Sequence, residues 1–218
     1  MIPSGDIERR LRDHIQGKVK DPSKREGPFY VVVRAPGKVT VAEQAIAGEA
    51  NVECSLPEGS LCIQWSFHGG FPFLKVDKNA DGALLVQRND GTYEAHVMEC
   101  KRTVDQTKWS EILQQMRWTL SKLMALAGAL GVRLARAVFY TAFRKDRLST
   151  VSSPNPIFAK LPVETDDAPL ENRRDTSRAR QLQIDWENDE ITLGDFEGRF
   201  AHRKIELDGN GNGAIEFL

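Results

Sequence analysis

Ala80-Asp81-Gly82-Ala83-Leu84-Leu85-Val86-Gln87-Arg88, then Asn89-Asp90-Gly91, then Thr92-Tyr93-Glu94-Ala95-His96-Val97-Met98-Glu99-Cys100-Lys101-Arg102 is the stretch on which the fold turns. Two apolar-rich runs flank a short polar break, the local signature of a β-hairpin. With the turn centred on Asp90, paired residues sum to about 180 in number, which sets Asp81 opposite Glu99. Strand alternation puts Glu99 and Lys101 on one face and Cys100 on the other. Two carboxylates a few ångströms apart repel unless a cation lies between them. Hard oxygen ligands with water in the remaining positions suit Mg²⁺ or Mn²⁺. An adjacent ammonium orients or helps deprotonate an attacking water, and these are the parts of metal-assisted phosphodiester hydrolysis. Asp77 competes for the first carboxylate, but its register partner is Thr103 and Lys78-Asn79-Ala80 interrupts the strand, so Asp81 is preferred.

Asp81, the hydrophobic strand after it and Glu99-Cys100-Lys101 resemble the PD-(D/E)XK nuclease superfamily, the restriction-endonuclease-like fold, over about residues 75 to 145. Ala80 stands where that family has Pro, at a variable position. An acid-x-Lys triplet is weak evidence alone, and the apolar strand, the carboxylate in register and the long helix that follows give it context. The plain alternative is a solvated strand face with a cross-strand Glu and Lys. The resemblance implies an α/β fold with a mixed β-sheet core flanked by helices. It implies a metal held by Asp81, Glu99 and the Cys100 backbone carbonyl, with Lys101 assisting the water. A Glu on the first core helix often completes such a site, which makes Glu43, and after it Glu49, a candidate. Gln114 and Trp118 form Gln-x-x-x-Trp, one aromatic exchange from the Gln-x-x-x-Tyr of RecB-like members, with both side chains on one side of a helix. The expected activity is a Mg²⁺- or Mn²⁺-dependent nuclease, with DNA as the expected substrate. The rival is a nuclease-like fold without activity that binds nucleic acid or protein as an accessory subunit. A homodimer is expected only by analogy with nucleases of this fold that cut duplexes as pairs.

With 218 residues, 28% charged and 40% hydrophobic, the chain is long enough for one large domain or a domain with an appended module. No run of 18 or more apolar residues suggests a membrane span, and Met1-Ile2-Pro3-Ser4-Gly5-Asp6 lacks a signal-peptide pattern, so a cytoplasmic protein is expected. Cys54, Cys62 and Cys100 are odd in number and never closely paired, which argues against a disulfide framework or a zinc site. Net charge is −1, but its distribution is uneven. Glu94 to Arg147 holds ten Lys or Arg against five acids, and Glu164 to Leu218 seven against fourteen. A basic sector around the proposed site fits a polyanion entering from one side. Arg102, Lys108, Trp118, Arg144 and Lys145 are the candidate nucleic-acid contacts.

Helical spacing marks Ser4 to Gln16, and β-branched content marks a strand at Phe29 to Val33. Val39 to Gly48 reads as a short helix carrying Glu43, and Leu61 to Phe67 as a strand ending in a His68-Gly69-Gly70 turn. The strongest helix runs from about Asp105 to Leu130, with Trp109, Ile112, Leu113, Met116, Leu120, Leu123, Met124 and Ala127 facing the core, Asp105 capping it and Gly131 ending it. Its positive end, just after Lys101, favours a phosphate there. Ala135 to Phe143 then completes a strand, helix, strand crossover, which makes neighbouring strands parallel. The expected division is a nuclease-like core over 1–147, a loop or linker over 148–180 and a β-rich C-terminal extension over 181–218, with strands at Gln181–Trp186, Glu190–Leu193, Arg199–Leu207 and Ala214–Leu218. Asp208-Gly209-Asn210-Gly211-Asn212 matches half of an EF-hand loop, but a Gly-rich hairpin is the expectation.

Overall fold

The structure, a computed structural model, describes residues 4–15, 30–43, 50–67, 78–149, 181–194 and 196–217. In chain order the elements are α1 (Ser4–His14), β1 (Tyr30–Arg34), β2 (Lys38–Glu43), β3 (Ala50–Ser55), β4 (Leu61–Trp65), β5 (Gly82–Gln87), β6 (Tyr93–Val104), α2 (Gln106–Leu130), β7 (Leu134–Asp146), a short α3 (181–187), β8 (Glu190–Ile191), β9 (Phe200–Glu206) and β10 (Asn212–Glu216). Seven strands form a mixed sheet in the order β1-β4-β5-β6-β7-β9-β8, and three form a smaller sheet in the order β10-β3-β2. The fold is therefore mixed α/β, with a large sheet flanked by helices and by a second, small sheet.

The β5–β6 hairpin has the expected register, from Gly82↔Met98 to Gln87↔Tyr93. Its turn closes through Arg88 N–H to Thr92 O at 2.8 Å, and Gly91 supplies the positive φ of 78° that the tight reversal needs. α2 then crosses over and β7 returns parallel to β6. Asp105 caps α2 by accepting the Lys108 N–H, and Gly131 ends it at φ 64°. Tyr93, Ala95 and Val97 of β6 pack with Trp109, Ile112, Met116, Leu120 and Leu123 of α2. Met98 and Cys100, on the opposite parity, pack with Val41, Val52 and Cys54 of the small sheet. A strand covered on both faces is nearly continuous in apolar residues, which is how β6 reads. Met124, expected in the core, is exposed.

Three expectations need correction. Lys38–Glu43 is a strand, with Val39 and Val41 buried and Lys38 and Thr40 exposed, so Glu43 ends a strand and not a helix. Residues 181–187 are helical and not a strand. Leu182 and Trp186, four apart, share an inner face, and Trp186 stacks edge-on against Trp109 at 4.9 Å. The C-terminal residues also enter both sheets: β9 pairs in parallel with β7, and β10 in parallel with β3. Asp208 closes a local turn by accepting the Asn210 and Asn212 N–H groups, but β9 and β10 do not form the expected hairpin. Glu49, Asp77, His68-Gly69-Gly70 and 150–180 of the expected linker lie outside the described residues. Among the described residues no helix is long and apolar enough to cross a membrane.

Candidate metal centre

β6 is longer than β5, so the ladder between them stops at Gly82↔Met98 and Glu99 to Val104 have no β5 partner. Asp81 stands just before β5 at this open end. Its Oδ2 accepts the Cys100 N–H at 2.7 Å, and its own N–H points to Glu99 Oε2 at 3.3 Å. Lys101 Nζ donates to Glu99 Oε1. Asp81, Glu99 and Lys101 are thus brought together. The Cys100 thiol packs in the small-sheet core while the residue also lines the cleft, so its backbone is what faces the site.

The small sheet brings Glu43 to the same place. Gly82 makes this approach possible, because a Cβ there would lie 2.7 Å from Val41 Cγ2. Glu43 lines the cleft beside Cys100 and Lys101, and its charge acts on Asp81 and Lys101. Gln114, by contrast, faces a separate depression with Ser110, Arg117 and Asp185. Its neighbour Gln115 faces the site, hydrogen-bonding Glu99 and donating to Asn79 O at 3.0 Å.

The cleft has a volume of about 590 Å³. Lys78, Lys101, Arg102, Lys108 and Arg147 line it together with Glu43, Asp105 and Glu111, so cations outnumber acids on its walls. The first turn of α2 also opens onto it, where helix N–H groups favour an anion. Of the candidate nucleic-acid contacts, Arg102 and Lys108 are here. Trp118 is half-buried, with the Arg117 guanidinium 5.2 Å from its ring. Arg144 and Lys145 lie within β7 and not after it, Lys145 level with Thr103.

Burial pushes the Asp81 carboxyl up to about 8, the Glu99 charge adds to this, and the Cys100 N–H and Lys101 oppose it. Burial also raises Glu99, against the pull of Lys101. For Lys101 burial acts downward, but Glu99, Asp81 and Glu43 outweigh it and the ammonium is held above its usual value. Two enclosed carboxylates thus share one ammonium, which leaves an excess negative charge that a proton or a cation relieves. Among the described residues no three His, Cys, Asp or Glu side chains converge on a metal-binding point. The donor set nonetheless fits Mg²⁺ or Mn²⁺, which accept one or two carboxylates with water and backbone oxygen in the other positions. No family model, curated protein or solved structure matches the chain.

Arg147, which follows Arg144 and Lys145 in the basic run that the sequence offers for backbone phosphates, lines the cleft, whereas sequence reading missed Lys78, Asn79, Gln115, Thr119 and Lys122. The last two and Gln115 recur at helical spacing as a polar stripe beside the apolar face of α2, and that spacing is the signal that could have found them.

Proposed function

We propose that the chain is a metal-dependent nuclease of the PD-(D/E)XK type, hydrolysing phosphodiester bonds, with DNA as its expected substrate. One observation carries the reading: two buried carboxylates, Asp81 and Glu99, meet beside Lys101, which lines a cleft on whose walls cations outnumber acids. Asp81, Glu99 and the Cys100 backbone would hold Mg²⁺ or Mn²⁺, with Glu43 at the cleft wall beside them. The bound ion supplies Lewis-acid polarisation of the phosphoryl oxygens and raises the acidity of water. Lys101 keeps its proton at neutral pH, so it orients water or a phosphoryl oxygen through N–H donation and does not act as a base. Gln115 fixes the Glu99 carboxylate from α2. Lys78, Arg102, Lys108 and Arg147 supply the positive surface that a phosphate backbone requires.

The test is incubation with single-stranded DNA, double-stranded DNA and RNA in Mg²⁺, Mn²⁺ or EDTA, beside Asp81→Ala and Lys101→Ala. Metal-dependent cutting by the wild type, lost in both folded variants, supports the reading. Full Mg²⁺-dependent cutting by Lys101→Ala sinks it. The excess of cations on the cleft walls, which serves binding without catalysis as well, supports a second reading, a catalytically silent nucleic-acid- or protein-binding subunit. That reading predicts binding that EDTA leaves unchanged.

A further inference from the structure

Thr119 and Lys122 are fully buried although both are polar and both sit mid-helix in α2. Lys122 Nζ donates to Asn79 Oδ1 and lies 5.5 Å from the Phe67 ring centroid. Asn79 Nδ2 in turn donates to Phe67 O at 2.9 Å. Thr119 Oγ1 accepts the Ala80 N–H at 2.8 Å. Enclosing an ammonium group in a protein interior is unfavourable, and an apolar side chain of similar length would fill the same space without that penalty. The three contacts converge on the two residues immediately before Asp81. Asp81 itself lies outside the β5 ladder, so strand pairing does not fix it. Gln115, on the same stripe, reaches Glu99, which makes α2 the common frame for both carboxylates.

We propose that Asn79, Thr119 and Lys122 form a clamp that sets the Asp81 carboxylate against Glu99 and the Cys100 N–H, and that the three are positioning residues of this site. The consequence for metal binding rests on the nuclease reading, whereas the clamp itself does not. The groups supporting metal ligands typically change affinity by about 10–100-fold when removed.

The Cys100 amide reports on the clamp directly, because it donates to Asp81 Oδ2 at 2.7 Å. Amide hydrogen exchange and ¹⁵N-resolved spectra of the metal-free full chain are compared for wild type, Lys122→Met, Thr119→Val, Thr119→Ser and Leu126→Ala. Mn²⁺ affinity and Tm are measured on the same samples. Lys122→Met and Thr119→Val are expected to shift the Cys100 amide and speed its exchange about tenfold, since its hydrogen bond to Asp81 Oδ2 is lost. They also weaken Mn²⁺ binding about 10–100-fold. Thr119→Ser keeps the hydroxyl and restores both. Leu126→Ala lowers Tm through a core cavity and leaves both unchanged, which separates positioning from general stability. A Cys100 amide unaltered in Lys122→Met and Thr119→Val overturns the clamp. A wild type that binds no Mn²⁺ while its Cys100 amide responds to these two variants upholds the clamp and overturns the metal reading alone.

Discussion

Raising the pH of metal-free protein from 6.5 to 8 should destabilise it. In the unfolded chain Asp81 titrates at its ordinary 3.8, and in the fold burial and the Glu99 charge hold it up at about 8. Between those values the folded state keeps a proton that the unfolded state has lost, so stability falls as pH rises, by about 1.4 kcal/mol per pH unit. Over this window the loss is about 2 kcal/mol, and for a chain of this size Tm drops by about 4–8 °C. Glu99 is raised too and acts in the same direction. The other shifted groups are quiet here. Burial lowers His96 and brings His202 down to about 3, so both cost stability only as pH falls below about 6.5. Burial raises Cys54 to about 12, which matters only above about pH 9. Asp81→Asn keeps an acceptor for the Cys100 N–H without a charge, and should flatten the decline. Mg²⁺ should flatten it as well, raising Tm more at pH 8 than at 6.5. Calorimetric scans across the window in EDTA and in Mg²⁺ decide the matter. A metal-free wild type whose Tm is level or rising, or an Asp81→Asn variant that declines as steeply as wild type, refutes the reasoning.

Gln115→Ala should slow metal-dependent cleavage at least about tenfold, whereas Gln114→Ala should leave it within about twofold; single-turnover rates distinguish them, and equal effects would return Gln114 to the site. Gly82→Ala drives a methyl against Val41 and should cost about 1–3 kcal/mol in denaturant melts, with much of the loss recovered when Val41→Ala is added. Arg102→Ala should weaken DNA binding and reduce the slope of log affinity against log salt by about one, because it removes one phosphate contact; an unchanged slope places the polyanion elsewhere. Trp186→Ala should cost about 3–5 kcal/mol, since the side chain is fully buried against Trp109, Phe143 and His202, and thermal melts check it.

The hairpin register was legible because its signals are local: apolar runs, a short polar turn and a parity rule that places Asp81 opposite Glu99 without any knowledge of the rest. α2 was legible for the same reason, from its period, its Asp105 cap and its Gly131 stop. The alternation of Val39 and Val41 with Lys38 and Thr40 was present in the sequence too, but a six-residue segment carries both periods poorly, and the helical reading of Glu43 followed. The choice between Gln114 and Gln115 fails for a sharper reason. One residue turns a helix by about 100°, and an apolar stripe more than 100° wide does not fix the azimuth of its polar borders to within one position. The pairing of β10 with β3 spans most of the chain, and no local pattern announces a contact of that kind.

The unequal lengths of β5 and β6 explain why these carboxylates meet where they do. A hairpin with matched strands would bury the β6 N–H groups in a ladder. Here the ladder ends at Met98, and the next N–H toward β5, that of Cys100, finds the Asp81 carboxylate in place of a strand carbonyl. The break in pairing therefore opens the cleft and supplies the first fixed donor within it. Completing the ladder, for instance by a residue pair inserted before Gly82, would satisfy the backbone and remove the site. Among the described residues the sheet leaves a hydrogen-bonding edge incomplete inside a three-layer fold, and two buried acids with a lysine stand at that edge. A binding surface for an apolar partner needs neither the broken ladder nor the enclosed charge, and the proposed metal reading rests on the two together.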